Sequence, residues 1–147
     1  MNINIELLPG GKMPTKAHPT DAGFDLFARL DLPMCVYPGE TVLVPAGFII
    51  ELPPWFEAQI RSKSGLALKG IVVANSPGTV DSGYRDEVKV ILYNQQNVEY
   101  DVPFIIEPGM KIAQIVIQEV IPIGLTNTSV NKETDRGLGG FGSTGVF

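Results

Sequence analysis

Breaks in the chain dictate what it can build. Pro33, Pro38-Gly39, Pro45, Pro53-Pro54, Pro77-Gly78, Pro103, Pro108-Gly109 and Pro122 punctuate it at short intervals. Its 16 glycines and 12 prolines make nearly one residue in five, against roughly 12% in average proteins. Proline removes a backbone donor and glycine loses the most entropy on ordering, so this spacing leaves little room for long helices. Between the breaks lie β-branched and aromatic runs: "NIELL", "ETVLVPAGFIIEL", "WFEAQI", "GIVVAN", "EVKVILYN", "FIIE" and "KIAQIVIQEV". Several alternate with period two. In 87–93, Val88, Val90 and Leu92 fall on one face, and Glu87, Lys89, Ile91 and Tyr93 on the other. Many short strands with regular turn signals predict an all-β sandwich or closed barrel.

One segment departs from that pattern. "SGLALKG" (64–70) combines helix formers with an N-capping serine and a terminal glycine, which predicts the single helix, of about two turns. Hydrophobic periodicity stops near Thr126. The expected organisation is therefore one β-domain over 1–125 and an extended, mobile arm over 126–147. Such a tail reads either as a frayed terminus or as an arm that closes over a ligand.

A formal net charge of −5 argues against generic attraction to nucleic acid or anionic membrane. One cysteine, Cys35, allows neither an internal disulfide nor a CxxC site, and one histidine practically excludes a His/Cys zinc centre. Any metal should be a hard cation among oxygens, Mg²⁺ above all. No segment approaches the roughly 20 apolar residues of a membrane helix, and "MNINIELLPGG" lacks the basic start and apolar run of a signal peptide. The expectation is a cytoplasmic protein with neither nucleic acid nor membrane as partner.

Four segments carry side chains suited to chemistry. In "NSPGTVDSGYRDE" (75–87), two turn signals flank Thr79-Val80 and predict a tight hairpin with outward backbone groups near its tip. Asp81 and Tyr84 can then project into one pocket, or Asp81 can simply cap a backbone amide. In "RSKSGLALKG", Arg61, Lys63 and Ser64 gather at a helix start, a natural phosphate site or a solvated basic turn. In "TDAGFDLFA", Asp21 and Asp25 either approach a hard cation or form an Asx-turn with a hydrogen-bonded aspartate. Gln114, inside the apolar run "KIAQIVIQEV", is an edge position or a donor into a site.

Taken together these segments resemble the five ordered motifs of the trimeric dUTPases (deoxyuridine triphosphate nucleotidohydrolases). "AGFDLFA", "SKSGLA", "GTVDSGYRDE", "GMKIAQIVI" and "RGLGGFGSTG" match them in order, from about residue 20 to the end. The third and fifth are highly specific. The resemblance implies a jelly-roll-like β-barrel with one short helix and a flexible C-terminal arm, assembled as a homotrimer with shared active sites. It further implies hydrolysis of dUTP to dUMP and pyrophosphate with Mg²⁺ on the triphosphate, which limits uracil incorporation into DNA and supplies dUMP for thymidylate synthesis.

By motif matching, Asp81 would hold and deprotonate the water that attacks the α-phosphorus. Tyr84 would lie against the deoxyribose and exclude a 2′-hydroxyl. The backbone from Asn75 through Gly78, Thr79 and Val80 would pair with the uracil edge, and Lys89 matches a substrate-contact position. Lys63, Ser64, Gly65 and Gln114 would hold phosphates. Arg136 would reach the γ-phosphate and Phe141 stack on uracil, with Gly142 and Ser143 completing the arm's contacts. Asp25 would touch the water shell of Mg²⁺. Two departures stand out. Lys63 replaces the usual arginine, keeping charge but losing the bidentate fork, with Arg61 nearby to compensate. Asp86 replaces a glycine, which questions the local backbone. The alternatives are a dCTP deaminase on the same fold and a non-catalytic binding module, and the spacing of Asp81 and Tyr84 favours the hydrolase over both.

Overall fold

The computed structural model describes residues 1–99 and 101–140. Among these, eleven strands and one short helix follow in order: β1 (Asn4–Leu7), β2 (Gly23–Phe27), β3 (Met34–Val36), β4 (Thr41–Pro45), β5 (Phe48–Glu51), β6 (Phe56–Arg61), α1 (Ser64–Ala67), β7 (Ile71–Val73), β8 (Gly78–Val80), β9 (Lys89–Asn94), β10 (Phe104–Ile106) and β11 (Lys111–Glu119). The alternating runs all became strands. "ETVLVPAGFIIEL" divides into β4 and β5, whereas β2, β3 and β8 had not stood out as strands.

Antiparallel pairing builds four sheets, ordered β1-β5, β3-β10, β2-β11-β6-β8 and β4-β9-β7. They share one core, to which Leu26, Val36, Val44, Phe48, Ile71, Leu92, Ile106 and Ile115 each contribute from a different strand. Each such side chain, fully buried, stabilises the fold by about 1.5–3 kcal/mol relative to exposure. The expected all-β, jelly-roll-like architecture with one short helix is what forms. No helix among the described residues is long and apolar enough to cross a membrane.

The helix is shorter than expected. Lys63, in extended conformation, is its N-cap, and no side chain caps it. Ser64 is its first residue instead. The turn then tightens, with Lys69 and Gly70 amides donating to carbonyls three residues back, and ends at Gly70, whose φ of 80° suits glycine alone.

Segment 75–87 does not pair with itself as a hairpin. Gly78, Thr79 and Val80 lie opposite Ile60, Gln59 and Ala58 of β6, and β8 ends its sheet. Val80 enters the core there, and that long-range burial outweighs local closure. After β11, residues 120–138 are exposed and carry no strand. Ile121, Ile123, Leu125 and Trp55 are among the large apolar side chains left facing solvent.

Glu87 had been expected on an outer face, yet it is buried. Arg29 reaches across from the end of β2 and donates from Nε and Nη2 to its two oxygens at 2.7 and 2.8 Å, and the Gly47 amide donates to Oε1 at 2.9 Å. The Arg29 hydrogen bonds, opposed by burial and assisted by Gly47, hold the Glu87 carboxyl below the usual glutamate range. A depressed folded value means that this stabilisation is present at neutral pH and is lost as pH falls through that value. Arg29→Met strands the carboxylate. It is expected to lower unfolding free energy by about 2–3 kcal/mol, below the 3–5 of a fully buried pair because Arg29 is partly exposed. Thermal melts from pH 7 to pH 3 check both points: the variant should start lower and lose less on acidification.

Candidate active site

A cavity of about 320 Å³ opens where β8 meets the turn leading to β9. It is lined by Leu43, Ile60, Asn75, Gly78, Thr79, Val80, Asp81, Tyr84, Val88, Lys89 and Ile91. Seven of the residues singled out from sequence meet here: Asn75, Gly78, Thr79, Val80, Asp81, Tyr84 and Lys89. The apolar walls come from the core faces of β4, β6 and β9, and the polar groups from the segment between β7 and β9. As an edge strand, β8 leaves backbone donors and acceptors on its outer side for a ligand. Gly78 is needed for this wall. A Cβ there would lie 2.9 Å from Asn75 Nδ2, so only glycine lets the Asn75 side chain sit against the strand.

Tyr84 is anchored at both ends. Its amide donates to the Asp81 carbonyl at 3.0 Å, and its hydroxyl donates to the Glu87 carbonyl at 2.9 Å. The ring therefore stands as a fixed wall beside the exposed Asp81 carboxylate. Asp86 causes no strain. Trp55 is the sole non-glycine with positive φ among the described residues, so position 86 keeps an ordinary backbone. Asp86 Oδ1 accepts the Glu87 amide at 2.7 Å and Oδ2 accepts Lys89 Nζ at 3.0 Å. Those two hydrogen bonds lower its carboxyl, and the pair raises Lys89.

The expected phosphate groups form a second cluster. Gln114 lies opposite Asp25 on β2 and Arg61 on β6, so the three make a row on one sheet face. Lys63 Nζ donates to Asp25 Oδ1, and Lys111 Nζ to Oδ2 at 2.7 Å. Burial raises the Asp25 carboxyl, but the hydrogen bonds from Lys111 and Lys63 outweigh it and leave it lowered. Each oxygen of Asp25 thus already faces an ammonium. That matches the hydrogen-bonded role weighed from sequence and suits direct metal ligation poorly. Among the described residues, no group of three or more His, Cys, Asp or Glu could hold a metal ion.

Gln114 Nε2 donates to the Ser62 carbonyl at 3.0 Å. Gly23 makes room for it, since a Cβ at that position would collide with Gln114 Oε1. Arg61 turns along its own strand and donates to Gln59 Oε1 at 3.1 and 2.6 Å. At α1, the amides of Ser64 and Gly65 have no intrahelical acceptor, and Gly65 faces open space. The cluster joins the cavity wall through Ser62, whose Oγ accepts the Val73 amide at 2.8 Å and whose amide donates to Ser76 Oγ at 3.3 Å.

Lys63, Ser64, Gly65, Gln114 and Arg136 do not line the Asp81 cavity. Arg136 is exposed and donates from Nε to its neighbour Gly139's carbonyl at 3.0 Å. Phe141, Gly142 and Ser143 lie outside the described residues. Lys111 went unnoticed in the sequence, where it reads as the polar start of an apolar strand.

Comparison with known proteins bears on the whole chain. The dUTPase family profile matches residues 10–145. A deoxyuridine 5'-triphosphate nucleotidohydrolase of Rickettsia bellii (strain OSU 85-389) is 51% identical over 138 residues, covering 93% of this chain and 89% of that one. The enzyme of the same name from Clostridium tetani is 46% identical, covering 97% and 96%. Among solved structures, the Staphylococcus bacteriophage 80alpha dUTPase with dUpNHpp superposes with a TM-score of 0.87 at 23% identity, covering 99% of each chain. A dUTPase of phage phi11 of S. aureus, described with a structural Mg(II) ion, gives 0.79 at 21% identity over 90% of this chain.

Proposed function

This chain belongs to the dUTPase family, and from that premise we propose that it hydrolyses dUTP to dUMP and pyrophosphate in the Asp81 cavity. The observation that carries the assignment is the joint placement of Asp81, the anchored Tyr84 ring and the open edge of β8 around one space sized for a nucleoside. The uracil edge pairs with backbone groups from Asn75 through Gly78, Thr79 and Val80, whose fixed donor and acceptor order discriminates against cytosine's amino group. Asp81 holds the attacking water in line with the α-phosphorus and accepts its proton. Pyrophosphate leaves toward Lys63, Ser64, Gly65 and Gln114, where cations and open amides meet its charge.

Magnesium enters with the substrate. The Mg²⁺–dUTP complex carries the ion on phosphate oxygens and water, as octahedral coordination favours, and both oxygens of Asp25 facing lysines supports that view. The chain acts as a homotrimer with shared sites. Supporting this are the phosphate cluster and the arm standing outside the cavity that holds Asp81, and the apolar Ile121, Ile123 and Leu125 left facing solvent. In the assembled enzyme Arg136 reaches the γ-phosphate, and Phe141, Gly142 and Ser143 cover the base. A single cysteine and the nucleotide substrate fit a cytoplasmic setting.

Hydrolysis in ¹⁸O-enriched water tests the chemistry. Label in dUMP agrees with attack at the α-phosphorus, whereas label in pyrophosphate contradicts the place given to Asp81. The Tyr84 wall makes its own prediction. Tyr84→Val opens the space beside C2′, so the preference for dUTP over UTP, measured as a ratio of kcat/KM, should fall by about 10–100-fold.

A further inference from the structure

The pairing of β11 with β2 contains an irregularity that bears on the phosphate cluster. Gln114 faces Asp25 and Ala113 faces Leu26, but the next pair is Lys111 with Phe27, so Ile112 is an extra residue on β11. Directly opposed residues of an antiparallel pair point to the same face, and alternate residues of a strand share one. Asp25, Phe27, Gln114 and Lys111 are therefore on one face. Without the extra residue Lys111 would lie opposite Ala28 and point to the other. The bulge turns this lysine toward Asp25, the kind of re-aiming that bulges provide beside functional sites.

We propose that Lys111 is a further polyphosphate-binding residue, and that Asp25 is a positioning residue holding Lys63 and Lys111 at one phosphate subsite. The inference rests on the hydrolase reading above. Two ammonium groups drawn together repel unless a carboxylate stands between them, and Asp25 supplies one oxygen to each. Asp25 is only 13% exposed and thus held in place, whereas Lys111 is 51% exposed and open to a ligand. Each ammonium has three donors. One hydrogen bond to Asp25 leaves the others for phosphate oxygens. The pairing also offsets the loss of directionality that comes with lysine rather than arginine at position 63, because two compact charges on a shared carboxylate approximate the span of a fork.

The test compares binding of the α,β-imido analogue of dUTP with binding of dUMP, by calorimetry on the full chain with Mg²⁺. Lys111→Met should weaken the analogue about tenfold and dUMP by less than about twofold, and Lys111→Arg should restore most of the loss. Asp25→Asn adds net positive charge, so attraction alone would tighten the analogue; loss of positioning should weaken it instead. Thermal melts of each variant check that it is folded, and Lys111, being half-exposed, tolerates replacement. Unchanged affinity in Lys111→Met, equal losses for analogue and dUMP, or tighter binding by Asp25→Asn would each overturn the proposal. Failure of the hydrolase reading looks different, since the unaltered protein would then release no pyrophosphate from dUTP.

Discussion

Asp81→Asn should bind Mg²⁺–dUTP nearly as well as the unaltered protein and turn it over about 10²–10⁴-fold more slowly, the usual contribution of a positioned general base. The side chain is exposed on the rim of the cavity and no hydrogen bond to it from another side chain is present among the described residues. Asparagine matches it in size and leaves the backbone between β8 and Tyr84 in place, so the uracil and sugar contacts survive. What disappears is the anionic acceptor for the water proton. An asparagine amide can still hold a water molecule, but it cannot take up the proton as the phosphorus–oxygen bond forms. Single-turnover kinetics separate these effects: the dUTP dissociation constant should move little while the chemical step collapses. Near-normal turnover would remove Asp81 from the mechanism.

Cutting the chain after Asp135 should leave folding intact and lower turnover by at least about 100-fold. Residues 120–138 are exposed, outside every strand and remote from the core, so little stability is invested there. The bonds found near the cut are local, from the Gly137 amide to Thr134 and the Gly139 amide to Arg136. Removal of Arg136 deprives the γ-phosphate of its guanidinium, and loss of Phe141 uncovers the uracil ring. Arg136→Ala alone should reproduce part of the defect, chiefly through KM. A truncated protein with an unchanged melting temperature and full activity would reduce the segment to a passive tail.

Much of this was legible because short-range pattern and long-range packing agree. The alternation of Val88, Val90 and Leu92 foretold the buried face of β9, and all three are in the core. The strand β2 was hidden by its function. Gly23 makes room for Gln114 and Asp25 serves two lysines, so neither follows a hydrophobic period. Glu87 gave no sign of burial since its partner Arg29 is 58 residues away. The seven cavity residues were foreseen through motif resemblance, because their spacing along the chain does not reveal that β8 pairs with β6. Nor does a strand sequence announce a bulge. Lys111 became visible only when the register of β11 against β2 was known.

The central claim is a uracil-specific, deoxyribose-specific hydrolysis between the α- and β-phosphates. Incubation with dUTP, dCTP, dTTP and UTP, each with Mg²⁺, while pyrophosphate and ammonia are followed separately, tests it most directly. Rapid pyrophosphate release from dUTP, with little from the other three and no ammonia from any, is the result predicted. Ammonia from dCTP would assign the cavity to a deaminase, and no product from any nucleotide would leave a binding module in its place.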